Sequence, residues 1–416
     1  MCRLYLGRYV LFMATRAGLA HVASVSFLAA RVAPSGAFWL ALTGGAALAR
    51  ESEMRGMRAG YAASAAAMLQ TVAIFGPLRF SAPLTQALSA PLLGSMHARG
   101  RRPAVQFAAC LAIRLVNYAV VSAFTLFVLL GAKGYVGSYR ALFGWVPFLP
   151  HGLGGALVLT AIISLVSAAF YSTVQVAVYR QALSSWSGRA VENGRPGPAA
   201  PTGRLRAGGA DPRAALVAAT LVSVALLASH AWVVLASVTV WLVPVSLLAR
   251  HEDRDVLRVG LSLAAVLAAG TFAASLLGGL GVDEAASRGL RGALLVLVAT
   301  WLRMAAGSAG LSEAFRRILL RLRRLPSARE AGEILGELDS GRLLATSAKA
   351  LPARLRGVDH RPASVTDAVL EWAAQEAHSY PVPPPRHAAK LCFRARDGAL
   401  AVSLVLPSVV LASVLA

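Results

Sequence analysis

Acidic side chains are missing from every long apolar stretch of this sequence; Glu51 and Glu53 come no closer than the edge of one. Carboxylates are the usual proton relays inside a bilayer and the usual ligands of hard cations. Their absence argues against a carboxylate-relayed proton carrier, a divalent-metal carrier and Asp-rich, magnesium-dependent prenyl transfer. Cysteine is scarce as well. Cys2, Cys110 and Cys392 are scattered without paired spacing, which argues against a disulfide framework or a zinc site. The phosphate-cradling Walker loop, GxSxG and HExxH are all absent. The reading thus carries no cofactor, no metal and no assigned catalytic residue, and it leans away from an enzyme.

Charge is scarce too, and what remains is mostly of one sign. Only 14% of residues are charged against 57% hydrophobic, and the mean hydropathy is +0.62. A soluble domain could not hide that much apolar surface, so lipid is the solvent for much of the chain. The formal net charge of +22 invites a nucleic-acid reading. The basic residues, however, sit in short loops beside apolar segments, which is what membrane orientation selects. No nucleic-acid partner is expected.

A helix needs about 20 apolar residues to cross the hydrocarbon core. Stretches that approach this length lie at 9–33, 35–49, 59–78, 82–98, 104–131, 151–179, 214–230, 231–249, 259–278, 289–307 and 399–416. The expected fold is an all-α polytopic membrane protein of about eleven spans. Basic residues follow each even-numbered stretch: Arg50, Arg55 and Arg58; Arg99, Arg101 and Arg102; a run from Arg180 to Arg213; Arg250, Arg254 and Arg258; and a long basic segment after the tenth. Loops after odd-numbered stretches are tight or poor in Lys and Arg; 133–150 holds only Lys133 and Arg140. The positive-inside rule then places the N-terminus in the cytoplasm and the C-terminus outside. The compact loops suit a bacterial plasma membrane.

Composition divides the chain further. Residues 1–185 form a first helix group, and 186–213, rich in Gly, Pro, Ala and Arg, reads as a flexible cytoplasmic linker. Residues 214–307 form a second group, 308–398 a basic cytoplasmic segment of three helices, and 399–416 a final span. Within 312–325, Phe315, Ile318, Leu319, Leu322 and Leu325 fall at helical spacing among arginines, an amphipathic pattern that suits anionic lipid or a cytoplasmic protein partner.

Polar residues inside apolar stretches are the functional pointers, because each costs free energy to bury. Arg114 lies about 15 Å along its span, close to mid-bilayer. Gln106, Cys110, Arg114, Asn117 and Tyr118 share one helical face. Gln70 in the third stretch and Gln86 in the fourth, between Pro83 and Pro91, complete the candidate substrate-binding set Arg114, Asn117, Gln86 and Gln70. Thr160, Ser164, Ser167, Tyr171 and Gln175 make a comparable stripe in the sixth stretch, of the kind that packs helices. His21, His97 and His151 have no partner visible in sequence. An intramembrane cation without an intramembrane anion suits an anionic ligand.

The segment GSMHARGRRP (94–103) resembles the cytoplasmic loop motif of major facilitator transporters, but Ala98 stands at the acidic position and the spacing is one residue short. The basic helices before the last span broadly resemble coupling subunits of energy-coupling-factor importers, without their paired Ala-Arg-Gly signature. Neither family is assigned. The leading expectation is a multi-span permease or transporter component for an anionic or amphiphilic solute. A scaffold or coupling subunit docking an ATPase through 308–398, and a lipid-phosphate-processing enzyme, are the alternatives.

Overall fold

The computed structural model describes residues 16–32, 37–76, 81–146, 152–188, 210–229, 231–247, 254–322, 324–338 and 362–380, with Leu344, Ser347, Leu351, Val358 and Asp397 as single residues. The predicted stretch 399–416, linker residues 189–209 and His151 lie outside the described residues. Every described element is helical. In chain order these are α1 (Arg16–Val32), α2 (Ala37–Arg55), α3 (Met57–Phe75), α4 (Ser81–Ala98) and α5 (Pro103–Phe124), then a π-helical turn (Thr125–Leu130). They continue as α6 (Gly131–Phe143), α7 (Leu153–Gly188), α8 (Pro212–Ala228), α9 (Trp232–Leu247), α10 (Arg254–Leu277), α11 (Val282–Arg321), α12 (Pro326–Glu337) and α13 (Pro362–Ser379).

The protein is all-α with a polytopic membrane topology. Four described helical runs are long and apolar enough to cross a bilayer: Pro103–Phe143, Leu153–Trp186, Arg254–Leu277 and Val282–Arg321. Their outward faces carry large apolar side chains, including Val116, Val120 and Phe127 on the first and Val158, Ile162 and Val166 on the second. Spacing by about four residues gathers each set into one stripe, as a lipid-facing surface requires. Residues 133–143, which the charge pattern assigns to a loop, are helical instead. Gly134 and Gly137 lie on one face of α6, and a β-carbon on Gly137 would come within 1.8 Å of the Cα of Gly278. This close approach of two backbones turns a weakly apolar segment into a packed helix.

The chain divides into two compact units. The first comprises residues 1–114, 169–205 and 311–389; the second comprises 115–168, 206–310 and 390–416. In the first unit α1 is the central helix. Leu19, Val22, Val25 and Phe27 are buried, as are its polar His21, Ser24 and Ser26. It packs against α2 and α3 and also against α12 and α13. The apolar faces of those two late helices, Ala331, Ile334 and Leu335 on α12 and Leu370, Trp372 and Ala377 on α13, join the same core. In the second unit α6 packs on α10 and α8 on α9, while Trp241 and Trp301 meet edge to face.

Two backbone breaks show how the sequence handles unpaired carbonyls. Pro91 lies inside α4 and has no N–H to give the carbonyl of Ala87. The Ser64 hydroxyl of α3 donates to that carbonyl at 2.6 Å, and the Tyr61 hydroxyl donates to the next one, Leu88, at 3.0 Å. Ser64→Ala is therefore expected to leave a buried carbonyl unsatisfied and to lower stability by about 1–3 kcal/mol. Thermal unfolding in detergent would read this, and an unchanged melting temperature would mean that another donor serves Ala87. The second break is Gly307 in α11, where φ of 69° interrupts the helix at the residue where the sequence pattern ends a span.

Candidate functional site

The first unit contains a chain of buried polar groups contributed by three helices. Cys110 and Arg114 are one turn apart on α5, Gln175 and Tyr179 one turn apart on α7, and Thr85, Gln86 and Ser89 sit on α4. The spacing of four puts each pair on one face. Arg114 Nη2 donates to Gln175 Oε1 at 2.7 Å, and the Cys110 thiol donates to the same oxygen at 3.1 Å. Gln175 Nε2 donates to the Ser89 hydroxyl at 2.7 Å, which in turn donates to the Thr85 carbonyl at 2.6 Å. Donors and acceptors thus run in one direction from Arg114 to Thr85. Reversing the Gln175 amide would set its NH2 against the guanidinium, so the arrangement fixes that side chain's orientation.

Beside this chain, the Tyr179 hydroxyl donates to Gln86 Oε1 at 2.7 Å. Position 45 of α2 makes room for it: a β-carbon there would lie 1.6 Å from the tyrosine oxygen. Tyr171, one turn before Gln175, presents its ring 5.8 Å from the Arg114 guanidinium carbon and is backed by Phe38.

Arg114 is only 4% exposed, and its Nε has no hydrogen-bond partner. No carboxylate among the described residues pairs with it. An arginine side chain offers five N–H donors, and here one neutral amide oxygen and one aromatic face answer them. A buried cation without a counter-charge costs several kcal/mol. A hydrogen bond to a charged group returns about 1.5–3 kcal/mol and a desolvated cation–π contact about 2 kcal/mol.

Of the four residues expected to bind substrate, Arg114 and Gln86 enter this buried cluster. Gln70 is buried on α3. Asn117 is half-buried on α5 and makes no hydrogen bond among the described residues. Sequence reasoning assigned Gln175 to packing and passed over Tyr179; the repeat of Tyr171, Gln175 and Tyr179 at intervals of four was the available signal.

His21 gains partners that its sequence position conceals. Its Nε2 lies 3.3 Å from Glu376 Oε1 and 3.4 Å from the Ser347 hydroxyl, and Ser347 also bonds that carboxylate. Tyr380 stacks on the imidazole at 4.6 Å between centroids. The residue types are those of a hydrolytic triad but the arrangement is not. A relay needs hydroxyl and carboxylate on opposite ring nitrogens. Here both meet Nε2, and Nδ1 is buried without a partner. The cluster clamps α13 to α1. His97 faces Glu53 at 3.6 Å.

No group of three or more metal-ligating side chains occurs among the described residues. No family model, no curated protein and no solved structure matches this chain.

Proposed function

We propose that the protein is a multi-span permease or transporter component that binds an anionic or amphiphilic solute at Arg114. The carrying observation is a guanidinium on a side chain only 4% exposed, with one neutral hydrogen-bond partner and no carboxylate partner among the described residues. In this reading Gln86 and Gln175 position the guanidinium and the solute's polar groups, Tyr171 walls the site, and Asn117 and Gln70 are further candidate binding residues. The chain crosses a bacterial plasma membrane about eleven times with its N-terminus inside. Residues 308–398 lie on the cytoplasmic side. There the exposed Ile318, Leu322 and Leu325, at intervals of four and three beside Arg321 and Arg324, rest on anionic lipid. The apolar faces of α12 and α13 are buried in the core of the first unit and not open to a docking ATPase, which favours this role over a coupling subunit.

The test is flux in proteoliposomes with radiolabelled phosphate and short-chain carboxylates as probes. Arg114→Gln is expected to abolish transport of the anion the wild type carries. Arg114→Lys, a point charge without the planar fork, should reduce it about tenfold or more. Unchanged flux of every probe in both variants, with both folded by size exclusion, would overturn the reading.

A further inference from the structure

A second cationic centre lies in the other unit, on α11. Arg291 is 6% exposed, its Nε is fully enclosed without a partner, and it forms no hydrogen bond or ion pair with any described residue. One turn earlier on the same face is Arg288. Its Nη2 bonds Glu284 at 2.7 Å, while its Nε is also buried and unpartnered. Arg288 is held on a second side by the absence of a side chain: a β-carbon on Gly131 would come within 2.4 Å of its Nη1. The site therefore contains two fixed guanidinium groups and one carboxylate. That carboxylate is committed to Arg288, and Arg291 remains uncompensated.

Its depth is informative. Arg288 and Arg291 stand about 9 and 14 Å along α11 from Val282. Near that helix start, Asp283 accepts a hydrogen bond from the Trp232 indole at 3.0 Å. A half-exposed tryptophan tied to an aspartate marks the membrane–water boundary. The arginine Cα positions lie one to two turns deeper, below the headgroup level that such a tryptophan marks. Arg side chains lean toward the helix N-terminus, so Arg291 reaches back toward Arg288 and that level.

We propose that Arg288 and Arg291 form a phosphate-binding site, distinct from the Arg114 site. Several unmet N–H donors on two guanidinium groups suit an anion with several oxygens, and the fork geometry of arginine matches phosphate. A phospholipid headgroup and free inorganic phosphate share that chemistry.

The experiment measures thermal unfolding of the full chain, delipidated in a non-ionic detergent, with two probes: inorganic phosphate and mixed micelles containing phosphatidylglycerol. At least one should raise the melting temperature of the wild type by several degrees. A response to the micelles alone identifies the headgroup as the source, and a response to inorganic phosphate alone identifies the free ion. Arg291→Gln should lose the response, and its ligand-free melting temperature should match or exceed that of the wild type because an uncompensated buried charge has gone. Arg258→Gln, at an exposed arginine outside both sites, should keep the response. No wild-type response to either probe would overturn the proposal. So would an Arg291→Gln variant that melts lower yet responds in full, since Arg291 would then be structural. A response lost in Arg114→Gln and kept in Arg291→Gln would overturn it too.

Discussion

Replacing Gly94 by alanine is expected to cost at least about 3 kcal/mol, the upper end for overpacking, or to abolish recovery of folded protein. A β-carbon at position 94 of α4 would lie 2.0 Å from the carbonyl oxygen of Ala49 and 2.8 Å from its Cα. Both are backbone atoms of α2, so no side-chain rotation relieves the clash and the helices must part. Parting is costly because α2 and α4 pack along each other and two further contacts are set at the same approach. Ser52 donates to the Pro91 carbonyl at 2.6 Å, and Gly60 of α3 fits beneath Ser52 and Pro91. Gly270→Ala provides the control. Nothing lies within 4 Å of its β-carbon position, inside α10. Relief of glycine's entropic cost should make that variant about 0.5–1 kcal/mol more stable. Melting curves in detergent should therefore move in opposite directions. Similar small shifts for both would mean that α2 and α4 are further apart than described.

The second large effect concerns charge. Gln175→Glu places a carboxylate where the amide oxygen now meets Arg114 at 2.7 Å. The new oxygen replacing Nε2 would accept from Ser89, whose hydroxyl can turn from the Thr85 carbonyl toward it. Arg114 then has a counter-charge in a buried setting. Because an unpaired buried charge costs several kcal/mol, the variant should be more stable by about 1–3 kcal/mol. It should also lose its response to anions, since the built-in carboxylate occupies the charge that a solute would use. Gln175→Leu should destabilise, for it leaves the guanidinium without its amide acceptor. A Gln175→Glu protein that melts lower and carries anions as before would show that Arg114 is already neutralised in the wild type.

These expectations show where sequence reasoning reached and where it stopped. Hydrophobic length located the helices, because a stretch such as 104–131 or 259–278 has few other stable forms in lipid. It also placed the end of one at Gly307, where a positive φ interrupts α11. The same rule misread 133–143. Lys133, Arg140 and two glycines look like a loop until Gly278 is seen against Gly137. Arg114 stood out because a cation in an apolar run is expensive wherever its partners are. Its partners did not stand out. Gln175 lies 61 residues away, in a Ser- and Thr-lined helix face that ordinary packing explains equally well. His21 is the sharper case: its carboxylate is 355 residues distant, and periodicity along one helix contains nothing about another.

The burial of α1 also orders events in time. Residues 16–32 are synthesised long before α12 and α13, at residues 326–379, which supply part of their covering. Until the ribosome has added those two helices, His21 has neither Glu376 nor Tyr380, and the face they cover is open to lipid, to neighbouring helices or to an assembly factor. Closure of the first unit is therefore a late step of biogenesis. Loss of α12 and α13 would be felt about 300 residues away, as exposure of α1 to quality-control proteases.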